Sequence, residues 1–310
     1  MWPGSTSRAF GVLLTAAASL LWGSMFVASE VGLQYADPYS LVFLRFVAAS
    51  AVVIPLALLF RKALNLGSEL RSSSIWLLGA IYALGFLLQY LGQDLTNASH
   101  ATLLSNLAPT LVPIAAFTML KEAITKGQKA ATALGLSGLF FIAAPKLSLG
   151  SGNTLGDLLL FGTSVSYTLF IILSKRLNGG SVGSSFAIVI SVTVFLMPAA
   201  VLLGGLDPSI LSIGPLGWAS IIYMGVAGSV IAIALYLKGL SSITSSESAT
   251  LLLLQVLTGL VLATLIFREF LSSSEIAGAA SILAGVALAS LTTRLRRHRD
   301  RPLTKPVRIY

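Results

Sequence analysis

The sequence predicts an all-α integral membrane protein: ten transmembrane helices, arranged as two inverted five-helix repeats. Three observations predict it. The 310 residues are 55% hydrophobic and only 10% charged, with a mean hydropathy of +0.89. A soluble domain carries about 25% charged residues, and so sparse a set cannot clothe a solvated surface, whereas lipid requires no polar coat. Apolar stretches of about the 20 residues needed to cross a bilayer follow one another along the whole chain. The two halves also coincide without gaps over about forty positions when the sequence is shifted by 147 residues.

The segments follow in order. The first, 9–33, starts after Arg8 and stays apolar for over twenty residues without a small-residue cleavage site, so it reads as a span and not a signal peptide. The second, 40–60, follows the Asp37-Pro38 turn, and the third, 75–93, follows the polar stretch from Arg61 to Ser74. The fourth, 99–120, contains Pro109 and Pro113, which should kink it and free carbonyls near its centre. Lys121 to Gly127 separates it from 128–146, and Ser148 to Asn153 precedes 154–174. Asn178 to Gly180 leads into 183–203, Asp207 to Pro215 into 216–237, and Ser241 to Ser245 into 246–267. The last segment, 275–293, runs into a basic tail, 294–310. Small residues recur every four positions in it (Ala277, Ser281, Gly285, Ala289), as do Ala131 and Gly135 in the fifth, a pattern that lets helices pack closely.

The net charge is +9, but its placement argues against nucleic acid as a partner. Seven cations sit in the last seventeen residues and most others lie at segment ends, the pattern of membrane topology and of contact with anionic lipid. With the N-terminus inside, seventeen of the twenty cations face the cytoplasm, Lys146 and Arg268 face outward, and Arg45 lies within a span. That asymmetry places both termini in the cytoplasm. Compact loops favour a bacterial cytoplasmic (inner) membrane. There is no cysteine, which excludes disulfides and thiolate-held metals.

Under the 147-residue shift, Lys121-Glu122 falls on Arg268-Glu269, Ala116 on Ala263, Leu136 on Leu283 and Gly138 on Gly285. Residues 1–147 and 148–293 therefore form two repeats of five spans. Five is odd, so the second repeat enters from the opposite face. Inverted repeats are a recurrent transporter device, because rocking one arrangement into the other exposes a midplane site to each side in turn.

The opening Leu21-Trp22-Gly23-Ser24-Met25-Phe26, the Asp37-Pro38 turn and Leu44-Arg45-Phe46 resemble the start of EamA-type members of the drug/metabolite transporter superfamily. Asn106-Leu107-Ala108-Pro109, thirteen residues before Glu122, resembles the family's Pro-to-Glu spacing in its fourth helix. The second half keeps Glu269 but carries Val256 where that proline is usual, so its ninth helix is expected to be less bent. The resemblance implies a ten-helix fold of two inverted five-helix repeats around a central cavity. It also implies export or uptake of small metabolites, often amino acids or related compounds.

Near the midplane sit Trp22, Ser24, Tyr82, Asn106, Tyr167, Tyr223, Ser229 and Gln255. A polar group in hydrocarbon needs a partner, so these are candidates either to line a cavity for an amphipathic solute or to join helices. Glu30, Arg45, Asp94, His100 and Glu247 are candidates for charge coupling. Glu30 and Arg45 either pair in an outer vestibule or are separately solvated, Arg45 snorkelling to headgroups. Glu247 is expected to pair with Lys238. Pro109, Glu122 and Glu269 read as structural, the two carboxylates capping or bracing the helix that follows each.

Enzyme signatures fail on context. Gly179-Gly180-Ser181-Val182-Gly183 fits a nucleophile elbow, but it follows a helix end and not a strand, and the chain has two histidines, one in the tail. No phosphate-binding lysine loop or zinc-protease motif is present. No cofactor or metal is expected. The alternatives kept beside the transporter are an intramembrane enzyme and a non-transporting membrane subunit.

Overall fold

Local signals set where each helix begins. In the computed structural model, which describes residues 7–95, 104–143, 153–177, 181–203, 212–267 and 272–299, the Ser7 hydroxyl accepts from the Phe10 amide and caps α1 (Arg8–Leu33). Asp37 caps α2 (Pro38–Leu59) by accepting from the amides of Tyr39 and Ser40, each 3.0 Å away. Pro38 fills the first turn of α2, where no N–H is needed. Two single turns, Arg61–Leu64 and Leu66–Glu69, lead to α3 (Ser73–Leu95). Then come α4 (Ala108–Leu120), α5 (Lys126–Ala143), α6 (Thr154–Leu177) and α7 (Val182–Leu202), the last capped by Ser181. The helix α8 (Gly214–Leu240) widens into a π-helix over Met224–Ile231. Thr244 caps α9, which consists of Ser245–Leu252 and Leu254–Phe267, and α10 is Ser273–Arg299.

Among the described residues there is no strand. Among the same residues seven helices, α1 to α3 and α6 to α9, are long and apolar enough to cross a membrane, and the apolar stretches Leu111–Leu120 and Ser273–Ala289 are shorter. Large apolar side chains such as Leu58, Leu202 and Leu265 point outward, as a lipid-facing surface requires.

Three expectations need correction. The fourth segment does not run as one helix kinked at two prolines. The chain turns at Asn106 and Leu107, and Pro109 sits in the first turn of α4, where its missing N–H breaks no bond; Pro113 alone is internal. The ninth helix is interrupted at Leu253 despite Val256, through tight bonds from Leu253 N to Thr250 O (3.2 Å) and Val256 N to Leu253 O (3.1 Å). The final helix also continues to Arg299, so the first residues of the basic tail are helical.

The helices pack in pairs. α1 lies against α8 and α9, α6 against α3 and α4, α2 against α7, and α5 against α10. The α5–α10 crossing is made by small residues. A Cβ on Gly138 would lie 2.5 Å from the Gly278 carbonyl, and one on Gly285 2.8 Å from the Ala131 carbonyl, with the Ser137 and Ser281 hydroxyls bonded at 2.9 Å between them. Numbers rise on one helix as they fall on the other, so the pair is antiparallel. Gly278, and not the exposed Ala277, faces the partner helix.

Candidate functional site

The helix pairs leave a cavity of about 1070 Å³, counted with its mouth, bounded by α1, α2, α3, α4, α6, α8 and α9. Its walls are aromatic. Tyr82 stacks on Phe170 with centroids 4.2 Å apart and planes 12° from parallel. Phe86 meets Tyr167 edge-on at 5.8 Å, and Trp22 leans on Tyr236 at 5.2 Å. Such pairs fix ring orientation as well as burying area.

Polar groups break this wall at defined points. The Tyr167 hydroxyl donates to Gln89 Oε1 at 2.6 Å. Gln255 Nε2 donates to Asn106 Oδ1 at 2.9 Å, joining the turn before α4 to the α9 segment beyond its break. Gln255 reaches this place because α9 is pressed onto α1 at Gly23, where a Cβ would lie 2.5 Å from the Gln255 carbonyl.

Arg45 is the only charged side chain lining the cavity among the described residues, and it is 4% exposed. Because α2 begins at Pro38, Arg45 lies about 10 Å along its axis, deeper than a headgroup contact requires. Its Nε donates to Ser229 Oγ at 2.8 Å, and its guanidinium carbon sits 5.1 Å from the Phe86 ring centroid and 5.6 Å from that of Phe46. The π-helix of α8 creates this arrangement. Gly225 lets α8 approach α2 so closely that a Cβ there would be 2.6 Å from the Arg45 carbonyl. The same stretch presents the Gly228 carbonyl to Trp22 Nε1 at 2.8 Å.

Beyond the Tyr236 and Leu252 end of the lining, polar side chains tie the helix ends together. Arg8 and Glu247 form an ion pair there, with Glu247 fully buried. Lys175 Nζ donates to the carbonyls of Leu240 (2.6 Å) and Ile243, closing the turn between α8 and α9. Glu122 accepts from the Ser245 amide at 3.0 Å, and Gln128 Nε2 donates to Thr244 Oγ1 at 3.2 Å. Toward the other end, the lining runs along α1 from Trp22 to Ser29 and along α3 from Tyr82 to Gln93.

The sequence candidates therefore separate. Trp22, Tyr82, Asn106, Tyr167 and Gln255 line the cavity. Ser24 does not: two residues on a helix are about 200° apart, so it faces away from Trp22 and bonds the exposed Tyr223 at 2.7 Å. Ser229 lies behind Arg45 as its partner. Glu30 is exposed and forms no ion pair with Arg45, so neither the vestibule pair nor the snorkelling arginine is what the chain adopts. Glu247 pairs with Arg8 and not with Lys238. Glu122 braces the start of α9 and not the helix that follows it. The Asp94 side chain, His100 and Glu269 lie outside the described residues. Sequence reasoning missed Phe86, Gln89, Tyr90 and Gln93, although with Tyr82 they form a helical stripe at spacings of four, seven, eight and eleven. It also missed Phe170 and Tyr236.

Comparison with known proteins adds the family. The sequence profile of the EamA-like transporter family matches residues 9–144 and 154–291. An uncharacterised transporter of Archaeoglobus fulgidus is 26% identical over 288 residues, spanning 90% of this chain and 96% of its own length. The uncharacterised transporter YyaM of Bacillus subtilis is 25% identical over 293 residues, spanning 90% and 93%. A solved structure, titled only as the crystal structure of a protein, superposes with a TM-score of 0.80 at 18% identity, covering 94% of this chain and 99% of that one, which shows a shared fold.

Proposed function

Since the chain belongs to the EamA-like transporter family and is a membrane transporter, we propose that it is a secondary transporter that exports small metabolites, such as amino acids or related compounds, by alternating access. The observation that carries this reading is the aromatic cavity between the helices, with helix ends tied together beyond one end of it by Arg8, Glu247 and their neighbours. A concave lining of rings with a few placed polar groups suits a small solute.

We read the fold behind it as ten spans in two inverted five-helix repeats. The packing supports this. Exchanging each helix with the one five places along turns α1–α8 into α6–α3 and α1–α9 into α6–α4, and leaves α2–α7 and α5–α10 unchanged. All these pairs occur. In the antiparallel α5–α10 crossing, Gly138 against Gly278 maps under the 147-residue shift onto Gly285 against Ala131, and both contacts are made. A two-fold axis in the membrane plane produces such reciprocity. With the basic ends cytoplasmic, the tied helix ends face the cell interior.

The test is transport by purified protein in proteoliposomes. Preloaded liposomes release solute from a metabolite panel faster than empty-bilayer controls, and release saturates with concentration. If no solute moves in either direction under an imposed solute, proton or potential gradient, the transporter mechanism proposed here is wrong.

A further inference from the structure

On the reading of the cavity as the transport site, the geometry points to the class of solute: we propose that Arg45 anchors the carboxylate of an organic monoanion whose apolar or aromatic body packs on the cavity rings. Four observations meet in this. Arg45 is 4% exposed, yet borders the cavity. Among the described residues it has no carboxylate within ion-pair distance, and no other lining residue is charged. Its one hydrogen bond among those residues leaves from Nε to Ser229, so the terminal N–H groups, the pair that grips a carboxylate in a fork, make none. Phe86 and Phe46 flank the guanidinium, which partly offsets the cost of burying a cation but cannot neutralise it.

An uncompensated cation in a largely apolar chamber selects for an anion and against a cation, since a second positive charge there has no counter-charge. One cation matches one negative charge. The remaining walls ask for rings or alkyl groups, with the Gln89–Tyr167 and Asn106–Gln255 pairs available to hydrogen-bond a polar substituent. Zwitterions leave their ammonium with no carboxylate to meet among the lining residues, so they rank below the matching anion.

The experiment uses four solutes that share a phenylalkyl body: 3-phenylpropionate, L-phenylalanine, phenethylamine and 3-phenylpropanol. Binding is read from the quenching of tryptophan fluorescence or a thermal shift in detergent, and transport from efflux out of proteoliposomes. In the unaltered protein, 3-phenylpropionate binds tightest and leaves fastest, and an interior-negative potential accelerates its exit but not that of the alcohol. Arg45→Gln weakens its binding by about 10–100-fold, the size of a charge-assisted hydrogen-bonded contact, and compresses the ranking of the four. Arg45→Lys keeps the preference for the anion with part of the affinity. The solute ranking needs no variant, so a misfolded Arg45→Gln leaves the test intact. Preference for the amine, the alcohol or the zwitterion overturns the anion proposal while the transporter reading stands. Movement of none of the four, alongside movement of other metabolites, also overturns it. Failure of every solute to move under any gradient removes both.

Discussion

Glu247 and Arg8 show what a single side chain does where the helix ends are tied. The carboxylate is fully buried and paired, and the Glu247 backbone amide donates to the capping Thr244 Oγ1 at 3.1 Å. Removing one partner of a buried pair costs about 3–5 kcal/mol, because the other is left charged in a poor solvent. Arg8→Ala is therefore expected to lower the thermal midpoint in detergent sharply. Adding Glu247→Gln should recover part of the loss, since the double variant buries no lone charge; a recovery of about 0.5–3 kcal/mol is the usual size of such coupling. A strictly additive pair would show that the ion pair contributes nothing. At this scale the sequence was informative about residue type and uninformative about partner. Arg45 stood out as a charge inside a span, but its partner Ser229 is 184 residues away, and nothing local registers α2 against the π-helix of α8. Trp22 and Ser24, by contrast, could have been separated from the helical wheel alone.

At the scale of elements, the cavity depends on helices brought unusually close. Gly225 is the point where α8 touches α2, with a Cβ position 2.6 Å from the Arg45 carbonyl and 2.9 Å from Ala48 Cβ. Those neighbours are backbone and a methyl group, neither of which can swing aside. Gly225→Val should push the helices apart and displace Ser229 from Arg45, with a stability loss of about 1–3 kcal/mol and a fall in transport. Gly67→Ala, where nothing lies within 4 Å, is the matched control and should change neither. Thermal midpoints and efflux rates of the two variants check this; equal behaviour would remove the α2–α8 contact from the account of the site. The interruptions of α4 and α9 teach a related lesson. Leu253 lies 147 residues after Asn106, so on the proposed two-repeat reading the two breaks occupy equivalent places. Pro109 announced the first. Nothing comparable announced the second, because there the tertiary setting and not the local sequence unwinds the turn: α9 is held to α1 at Gly23 and to Asn106 through Gln255.

For the molecule as a whole, hydrophobic spacing made the helices and the membrane class legible, and the odd number of segments per repeat suggested inversion. The state of the cavity was not legible, because it depends on which end of the bundle is tied together. The ties are side chains from five places in the chain: Arg8, Glu122, Gln128, Lys175 and the Thr244–Glu247 turn. Only the fold assembles them. If these ties are an inner gate, the two ends should respond in opposite senses when it is weakened. The chain contains no cysteine, so single cysteines report cleanly. Ser29→Cys sits on the cavity lining away from the tied helix ends, and Ser248→Cys replaces a fully buried hydroxyl bonded to Tyr236 at 3.0 Å. In cells, an impermeant maleimide should label Ser29→Cys from outside and leave Ser248→Cys protected from either face. Introducing Arg8→Ala should raise the labelling of Ser248→Cys from the cytoplasmic side and lower that of Ser29→Cys from outside, because opening one end closes the other. Labelling that rises at both ends would indicate local loosening in place of alternation, and labelling of Ser29→Cys from the cytoplasm alone would reverse the orientation read from the charges.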